Sequence, residues 1–169
     1  MQWKVEKGVH KQYLMKSERK PTKVARVRAE EMISNDSELL IFVDASELNF
    51  QGIFGLGVCF VGQGEVVVKS KKHYNQLMKR NNVYAEFLAI KYALQQLEIL
   101  IKESLKKPTN ITVFSDLVLA HKLKETSNLS RNNSINEIAE QVRTMWSEFE
   151  TISGNYLQIV YIEPNLKKY

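Results

Sequence analysis

Three stretches of the first half of the chain have the apolar pattern of strands. They cover residues 38–44, 53–61 and 65–70. In the first, residues 39–43 are continuously apolar and Asp44 ends the run, as expected of a buried central strand. Residues 47–52 predict a turn after it, and Gly62-Gln63-Gly64 is a tight hairpin signal between the other two. Together they predict an antiparallel meander.

In the second half of the chain, apolar residues recur at helical spacing in two long segments. Residues 83–105 predict a long helix, with Asn82 as its expected N-cap. Ser134 and Glu137 form a capping-box pattern before a second amphipathic helix. The remaining predicted elements are a fourth strand at 110–115, a short helix at 117–124 and a fifth strand at 156–162. Because these later strands alternate with helices, parallel pairing with right-handed crossovers follows. The fold class is therefore α/β, with a five-stranded mixed sheet (three antiparallel strands, then two parallel) flanked by helices.

The start of the chain differs from the rest in charge. Pro21 is expected to open a helix over about 22–34, because its missing N–H is not needed in a first turn. We expect a basic, partly helical N-terminal extension at 1–37 and a folded domain at 38–169. Residues 1–28 hold nine basic and two acidic residues, a net charge of +7, whereas the whole chain carries +5. Such an arm suits binding to a phosphate backbone, and a solvated extension is the alternative.

Composition narrows the class of protein. The chain is 44% hydrophobic and 25% charged, which is ordinary for a globular protein. No apolar stretch approaches the ~20 residues of a membrane span, and the charged N-terminus is unlike a signal peptide. Cys59 is the single cysteine, so a disulfide framework is excluded. These features predict a protein of the reducing cytoplasm.

Three acidic residues stand where strands end or where the long helix begins. Asp44 ends the first predicted strand, Asp116 follows the fourth, and Glu86 lies near the start of the helix. Carboxylates placed in this way can meet at one edge of a sheet, where divalent cations would relieve their mutual repulsion. The alternative is that the two aspartates are ordinary turn residues and Glu86 is a solvated helix residue.

The motifs around these acids resemble those of the ribonuclease H family. They are Asp44-Ala45-Ser46 at a strand end, Asn81-Asn82 followed by Ala85-Glu86 at a helix start, and Ser115-Asp116 at a second strand end. The resemblance covers roughly residues 39–163 in the same order of elements. It implies a ribonuclease H-like fold and a metal-dependent endonuclease that hydrolyses the RNA strand of RNA/DNA hybrids. It also implies two Mg²⁺ (or Mn²⁺) ions, with Asp44 bridging both and Glu86 and Asp116 each holding one.

Further site residues are expected on the same resemblance. The family carries a fourth carboxylate after its last strand, and Glu163 is the candidate for that position here. Ser46 is expected to contact a phosphate or a 2′-OH, the group by which proteins distinguish RNA from DNA. Asn81 and Asn82 are expected at the minor groove of the hybrid, or else as helix caps. Lys79 and Arg80 are expected to bind phosphates, or else to be solvated loop residues.

The sequence differs from the family pattern at two places near the proposed site. One more residue than usual separates Asn82 from Glu86, and Glu47-Leu48-Asn49 stands where the family is rich in glycine. These differences keep a second function open, namely a catalytically weak or inactive nucleic-acid-binding or protein-binding module. In either case nucleic acid is the expected partner, and a protein partner or oligomer is possible. A 3′–5′ exonuclease is disfavoured, because that group usually carries Asp-x-Glu where Asp44-Ala45-Ser46 stands.

Overall fold

The computed structural model describes residues 21–103, 108–125 and 128–162. Its strands are β1 (Glu38–Leu48), β2 (Ile53–Gly62), β3 (Glu65–Tyr74), β4 (Asn110–Ser115) and β5 (Tyr156–Tyr161). Its α-helices are α1 (Lys23–Ser34), α2 (Asn82–Glu103) and α3 (Asn133–Ser153). Short 3₁₀ helices cover Gln76–Met78 and Val118–Lys122. In the part of the chain so described, no helix is both long and apolar enough to span a membrane.

The five strands form one mixed sheet in the order β3-β2-β1-β4-β5. β1, β2 and β3 pair antiparallel, whereas β4 lies parallel to both β1 and β5. The predicted arrangement of three antiparallel strands followed by two parallel ones is confirmed. The parallel crossovers run through α2 and α3, which leaves β4 and β5 beside β1 rather than beside the hairpins.

The core lies between one face of the sheet and the helices α2 and α3. Ile41, Phe60 and Val113 are completely or almost completely buried on that face, and Phe87 and Leu97 of α2 pack against them. Each such side chain stabilises the fold by about 1.5–3 kcal/mol through burial alone. α2 is apolar around most of its circumference because it is packed between the sheet and α3. The helix that carries Glu86 is therefore packed against the sheet on one side and against α3 on the other.

Two strands are longer than their apolar patterns predicted. β1 continues beyond Asp44 to Leu48, so the prediction that Asp44 ends the strand and that 47–52 is all turn was wrong. Antiparallel pairing extends β1, because its ladder with β2 runs on to Leu48 opposite Ile53. β3 likewise continues to Tyr74, since β2 pairs with it along its whole length.

The helix starts also differ from the predictions in their capping residues. Thr22, not Pro21, precedes α1, and its Oγ1 accepts a hydrogen bond from the N–H of Ala25 at 3.2 Å. The predicted capping box was wrong as well, because Asn132 caps α3 through a 2.9 Å bond from Ser134 N–H. Asn132, which precedes the predicted capping-box residues Ser134 and Glu137, thus accepts from a free backbone N–H at the start of the helix.

The described part of the N-terminal extension lies against the β2–β3 hairpin. The N–H of Gly64 donates to the carbonyl of Ile33 at 2.6 Å, and that of Gln63 donates to Asn35 at 2.9 Å. α1 itself contains no buried residue. The division of the chain at residue 37 stays a prediction.

Candidate metal centre

The structure brings the three predicted carboxylates together. Asp44 extends from β1, Glu86 from the second turn of α2, and Asp116 from the residue after β4. One carboxylate oxygen from each lies within 4.8 Å of the others. Asp44 is exposed, whereas Glu86 and Asp116 are half-buried. The cluster therefore opens to solvent on one side and is closed by protein on the other.

The sheet topology accounts for this convergence. The parallel ladder of β1 and β4 ends at the pair Phe42–Phe114, so Asp44 and Asp116 each lie two residues beyond its last rung. α2 crosses this edge of the sheet, and the buried residues Ala85 and Phe87 hold its first turns in place. Glu86 lies between them and is directed toward the two aspartates. Although Asp44 does not end β1, it does lie where the parallel part of the sheet ends.

The donor set of this cluster suits a divalent cation. Three carboxylates at such short range repel one another, and the repulsion is stronger for oxygens that solvent does not reach. Oε2 of Glu86 and Oδ1 of Asp116 are such oxygens. Mg²⁺ and Mn²⁺ prefer hard oxygen ligands and are commonly held by a few carboxylates together with water and phosphate oxygens. A cation at this place would fit the residues that are present.

A cavity of about 470 Å³ opens beside the cluster. Glu86, Asp116, Ser46 and Asn82 all line it. Ser46 lies two residues after Asp44 on β1, so its side chain is on the same face of the sheet as the Asp44 carboxylate. Two of the predicted nucleic-acid contacts are therefore at the carboxylates.

The neighbouring asparagines have different positions. Oδ1 of Asn81 accepts the N–H of Tyr84 at 2.9 Å, which is the geometry of an N-cap. Asn82, which was expected to be the cap, is instead the first residue of α2 and is exposed in the cavity. The order of the two asparagines explains why Asn81 and not Asn82 is the cap. The residue just before the first helical turn is the one that can reach the free N–H groups of that turn.

The predicted phosphate-binding residues lie on the approach to α2, outside the lining of that cavity. Lys79 and Arg80 are both exposed. Arg80 has a positive φ of 63°, and its guanidinium lies 5.6 Å from the ring centroid of Phe50. Lys71 and Lys72, which follow the predicted third strand at 65–70, belong to β3.

Glu163, the proposed fourth ligand, lies outside the described residues.

One residue that the sequence interpretation assigned only to a turn has a structural role at the site. Glu47 is half-buried in the last part of β1 and bonds to backbone N–H groups on two loops. The alternation of apolar Val43 and Ala45 with polar Asp44 and Ser46 was a signal that β1 continues past Asp44.

No protein-family model matches the chain, and no curated protein matches it. Solved structures do resemble it. RNase H1 from the halophilic archaeon Halobacterium salinarum covers 78% of this chain and 89% of its own at 15% identity, with a TM-score of 0.54. LC11-RNase H1 in complex with an RNA/DNA hybrid covers 77% and 88% at 16% identity, with a TM-score of 0.56. An N-terminal RNase H domain from Mycobacterium tuberculosis covers 76% and 84% at 14% identity, with a TM-score of 0.55. At these identities the likeness concerns the fold, and the chain has the ribonuclease H-like fold that its motifs predicted.

Proposed function

We propose that this protein is a metal-dependent endonuclease that hydrolyses the RNA strand of RNA/DNA hybrids. The observation that carries the proposal is the cluster of Asp44, Glu86 and Asp116, with oxygens within 4.8 Å of one another at the edge of a ribonuclease H-like sheet. A likeness in fold without these side chains would support a binding module equally well.

Each carboxylate has a distinct proposed role. Asp44, the exposed member, would bridge two Mg²⁺ or Mn²⁺ ions, while Glu86 and Asp116 would each hold one of them from the protein side. When bound, such a pair activates a water molecule and stabilises the leaving 3′-oxygen of a phosphodiester. Glu86 and Asp116 are half-buried, so their side chains have less conformational freedom than the exposed Asp44. Glu163 would supply a further ligand.

The proposed nucleic-acid contacts surround this cluster. Ser46 and Asn82 line the cavity beside the carboxylates, where a hydroxyl and an amide can recognise a 2′-OH. Lys79 and Arg80 would contact phosphates on the approach to α2, and Asn81 would act mainly by capping that helix. The basic segment 1–28 would add affinity that depends on salt concentration. The neighbour LC11-RNase H1 was solved with an RNA/DNA hybrid, which makes the hybrid the first substrate to test.

One observation favours a second candidate function. One more residue than usual separates Asn82 from Glu86, and Glu47-Leu48-Asn49 stands where the family is rich in glycine. A site that differs in this way could bind nucleic acid while cutting it slowly or not at all. The second candidate is therefore a nucleic-acid-binding module that has kept the fold.

A cleavage assay separates the two functions. The wild type, Asp44→Asn and Asp36→Asn would be incubated with a hybrid labelled on its RNA strand, in Mg²⁺, in Mn²⁺ and in EDTA. Asp36 is an exposed aspartate outside the cluster, so it receives the same chemical change as a control. We expect the wild type and Asp36→Asn to cut the RNA strand in either metal, and Asp44→Asn to be slower by about a hundredfold or more.

The contrary result is equally clear. If the wild type does not cut the hybrid in either metal, the endonuclease proposal is wrong. If it nevertheless binds the hybrid, the binding module takes its place.

A further inference from the structure

A second depression, of about 440 Å³, lies on the other side of Asp44. It opens on the face of the sheet opposite the core, across β1, β2 and β3. Ala45 and Ser46 line both this depression and the carboxylate cavity, so the two are continuous along β1. A molecule bound at the carboxylates could therefore extend onto the face of the sheet.

The strand register makes this depression a trough. Asp44 on β1 stands opposite Gly57 on β2, which stands opposite Ser70 on β3. In the next row Ser46, Gly55 and Lys72 are aligned in the same way. Side chains of β1 and β3 form the walls, and the two glycines of β2 form a floor without side chains. We name this feature the β2 trough.

The fold itself does not require glycine in the floor. A Cβ added at Gly57 would meet only the carbonyl oxygen of Asp44, at an ordinary 3.8 Å, whereas one at Gly55 would lie a tight 3.3 Å from the Ser46 hydroxyl, which would have to shift slightly. Neither glycine has a positive φ. By contrast, Gly52 and Gly62 have positive φ, and a Cβ there would overlap backbone atoms of other residues. Glycine inside a strand weakens it, and it often marks a bulge, a bend or a site where a ligand or another backbone approaches closely.

The walls of the β2 trough carry the groups that bind a sugar–phosphate chain. Lys72 supplies positive charge, while Ser46 and Ser70 supply hydroxyls that can donate or accept. Three adjacent strands span about 10 Å, a width that suits one nucleic-acid strand and is too narrow for a duplex. The negative charge of Asp44 lies at one wall only, where the trough meets the carboxylate cavity.

We propose that the β2 trough is a subsite for the sugar–phosphate backbone of one nucleic-acid strand, which reaches it from the carboxylates across Ser46. This inference rests on the proposed function, because the strand is assigned to a substrate held at the carboxylates. Lys72 contacts phosphate, the serine hydroxyls contact the sugar or phosphate, and the bare backbone of Gly55 and Gly57 lets the strand lie close to β2.

The test uses variants whose added side chains fill the β2 trough, and it measures binding in EDTA so that the probe is not cleaved. Fluorescence anisotropy in EDTA would give the Kd of a labelled RNA/DNA hybrid and of its single RNA strand. We expect Gly57→Val to raise Kd about tenfold and Gly57→Ala about threefold, since the added groups occupy the floor. Val66→Ile adds bulk on the same face two rows away, and we expect it to leave Kd unchanged. The Tm of Gly57→Ala should equal or exceed that of the wild type, because its Cβ has room.

A second pair of variants tests the wall. Lys72 lines the β2 trough, whereas Lys69 is exposed on the same strand but is directed to the other face by the strand alternation. Lys72→Gln and Lys69→Gln remove equal charge. We expect Lys72→Gln alone to reduce the slope of log K against log salt by about one unit, since it loses a phosphate contact.

The outcomes distinguish this inference from the proposed function. If folded Gly57→Ala and Gly57→Val bind as tightly as the wild type, or if the two lysine variants behave alike, the β2 trough is not a subsite, whatever the cleavage assay shows. If filling the trough weakens binding but the wild type does not cut, the subsite stands and the endonuclease proposal fails. A wild type that binds neither probe overturns the subsite, and the cleavage assay then decides the endonuclease proposal separately.

Discussion

The carboxylate of Glu47 accepts a hydrogen bond from the backbone N–H of Arg80 at 2.7 Å. Its other oxygen accepts the N–H of Gly52, also at 2.7 Å. One half-buried side chain thus joins the β1–β2 turn to the segment that leads into α2, the helix that carries Glu86. Arg80 needs such support, because its φ of 63° lies in the left-handed region, which costs a non-glycine residue about 1–2 kcal/mol.

Replacement of Glu47 should therefore destabilise the fold, and alanine should destabilise it more than glutamine. We expect Glu47→Gln to lower the free energy of unfolding by about 1 kcal/mol and Glu47→Ala by about 2–3 kcal/mol, because the amide keeps one acceptor and alanine keeps none. Urea denaturation measures both. Glu98→Gln is the control, since the exposed Glu98–Lys102 pair contributes about 0–1 kcal/mol. Equal stability of Glu47→Ala and the wild type would remove the role given to Glu47.

Arg80 combines backbone strain with a proposed phosphate contact. We expect Arg80→Gly to raise the free energy of unfolding by up to about 1 kcal/mol, because glycine adopts this φ without cost, and to weaken binding to the hybrid. Lys79→Gly removes the same charge at a residue with φ of −52°, where glycine relieves no strain. The measurements are chemical denaturation and anisotropy. Two variants with the same change in stability would contradict the interpretation of Arg80.

The two asparagines before Glu86 should differ in what they affect. Asn81→Ala should cost about 1 kcal/mol of stability by removing the cap of α2, and Asn81→Ser should recover most of that loss. Asn82→Ala should leave the stability within about 0.5 kcal/mol while it weakens hybrid binding, because Asn82 is exposed in the carboxylate cavity. Denaturation curves and Kd values for the three variants decide this. The reverse pattern would return the capping role to Asn82.

Local sequence patterns predicted the fold and the carboxylates for a physical reason. The acids follow apolar runs or begin a helix, and parallel strands separated by helices must place such positions at one edge of the sheet. The errors arose where a partner strand or a competing side chain decided the outcome. β1 continues past Asp44 because β2 pairs with it, and Asn132 caps α3 although Ser134 matched the motif. Neither the pairing of Leu48 with Ile53 nor the bonds of Glu47 can be derived from a local window.

His73 is expected to lower the stability of the fold as the pH falls. It is half-buried on β3, with Nε2 3.3 Å from the hydroxyl of Tyr84. Burial, together with the positive charges of Lys71 and Lys91, lowers the pKa of His73 below its ordinary value of 6.5. The unfolded chain then takes up a proton more readily than the folded one. This contribution to stability is complete above pH 6.5 and is lost as the pH falls through that value toward the folded pKa.

The variant His73→Gln isolates this effect, because glutamine can still bond to Tyr84 but does not titrate. We expect the difference in unfolding free energy between the wild type and His73→Gln to shift against the wild type from about pH 7.5 to about pH 5.5. Urea denaturation at a series of pH values measures it. A difference that stays constant over this range would show that His73 does not carry the effect.

The central claim is that Asp44, Glu86 and Asp116 form one divalent-cation site, and thermal unfolding with added Mn²⁺ tests it most directly. Binding to the folded state alone stabilises it by about 2.7 kcal/mol at a hundred times Kd, which raises the Tm by several degrees. We predict a saturable rise in Tm for the wild type and for Asp36→Asn, and no rise for Asp44→Asn. No rise in the wild type, or an equal rise in Asp44→Asn, would contradict the claim.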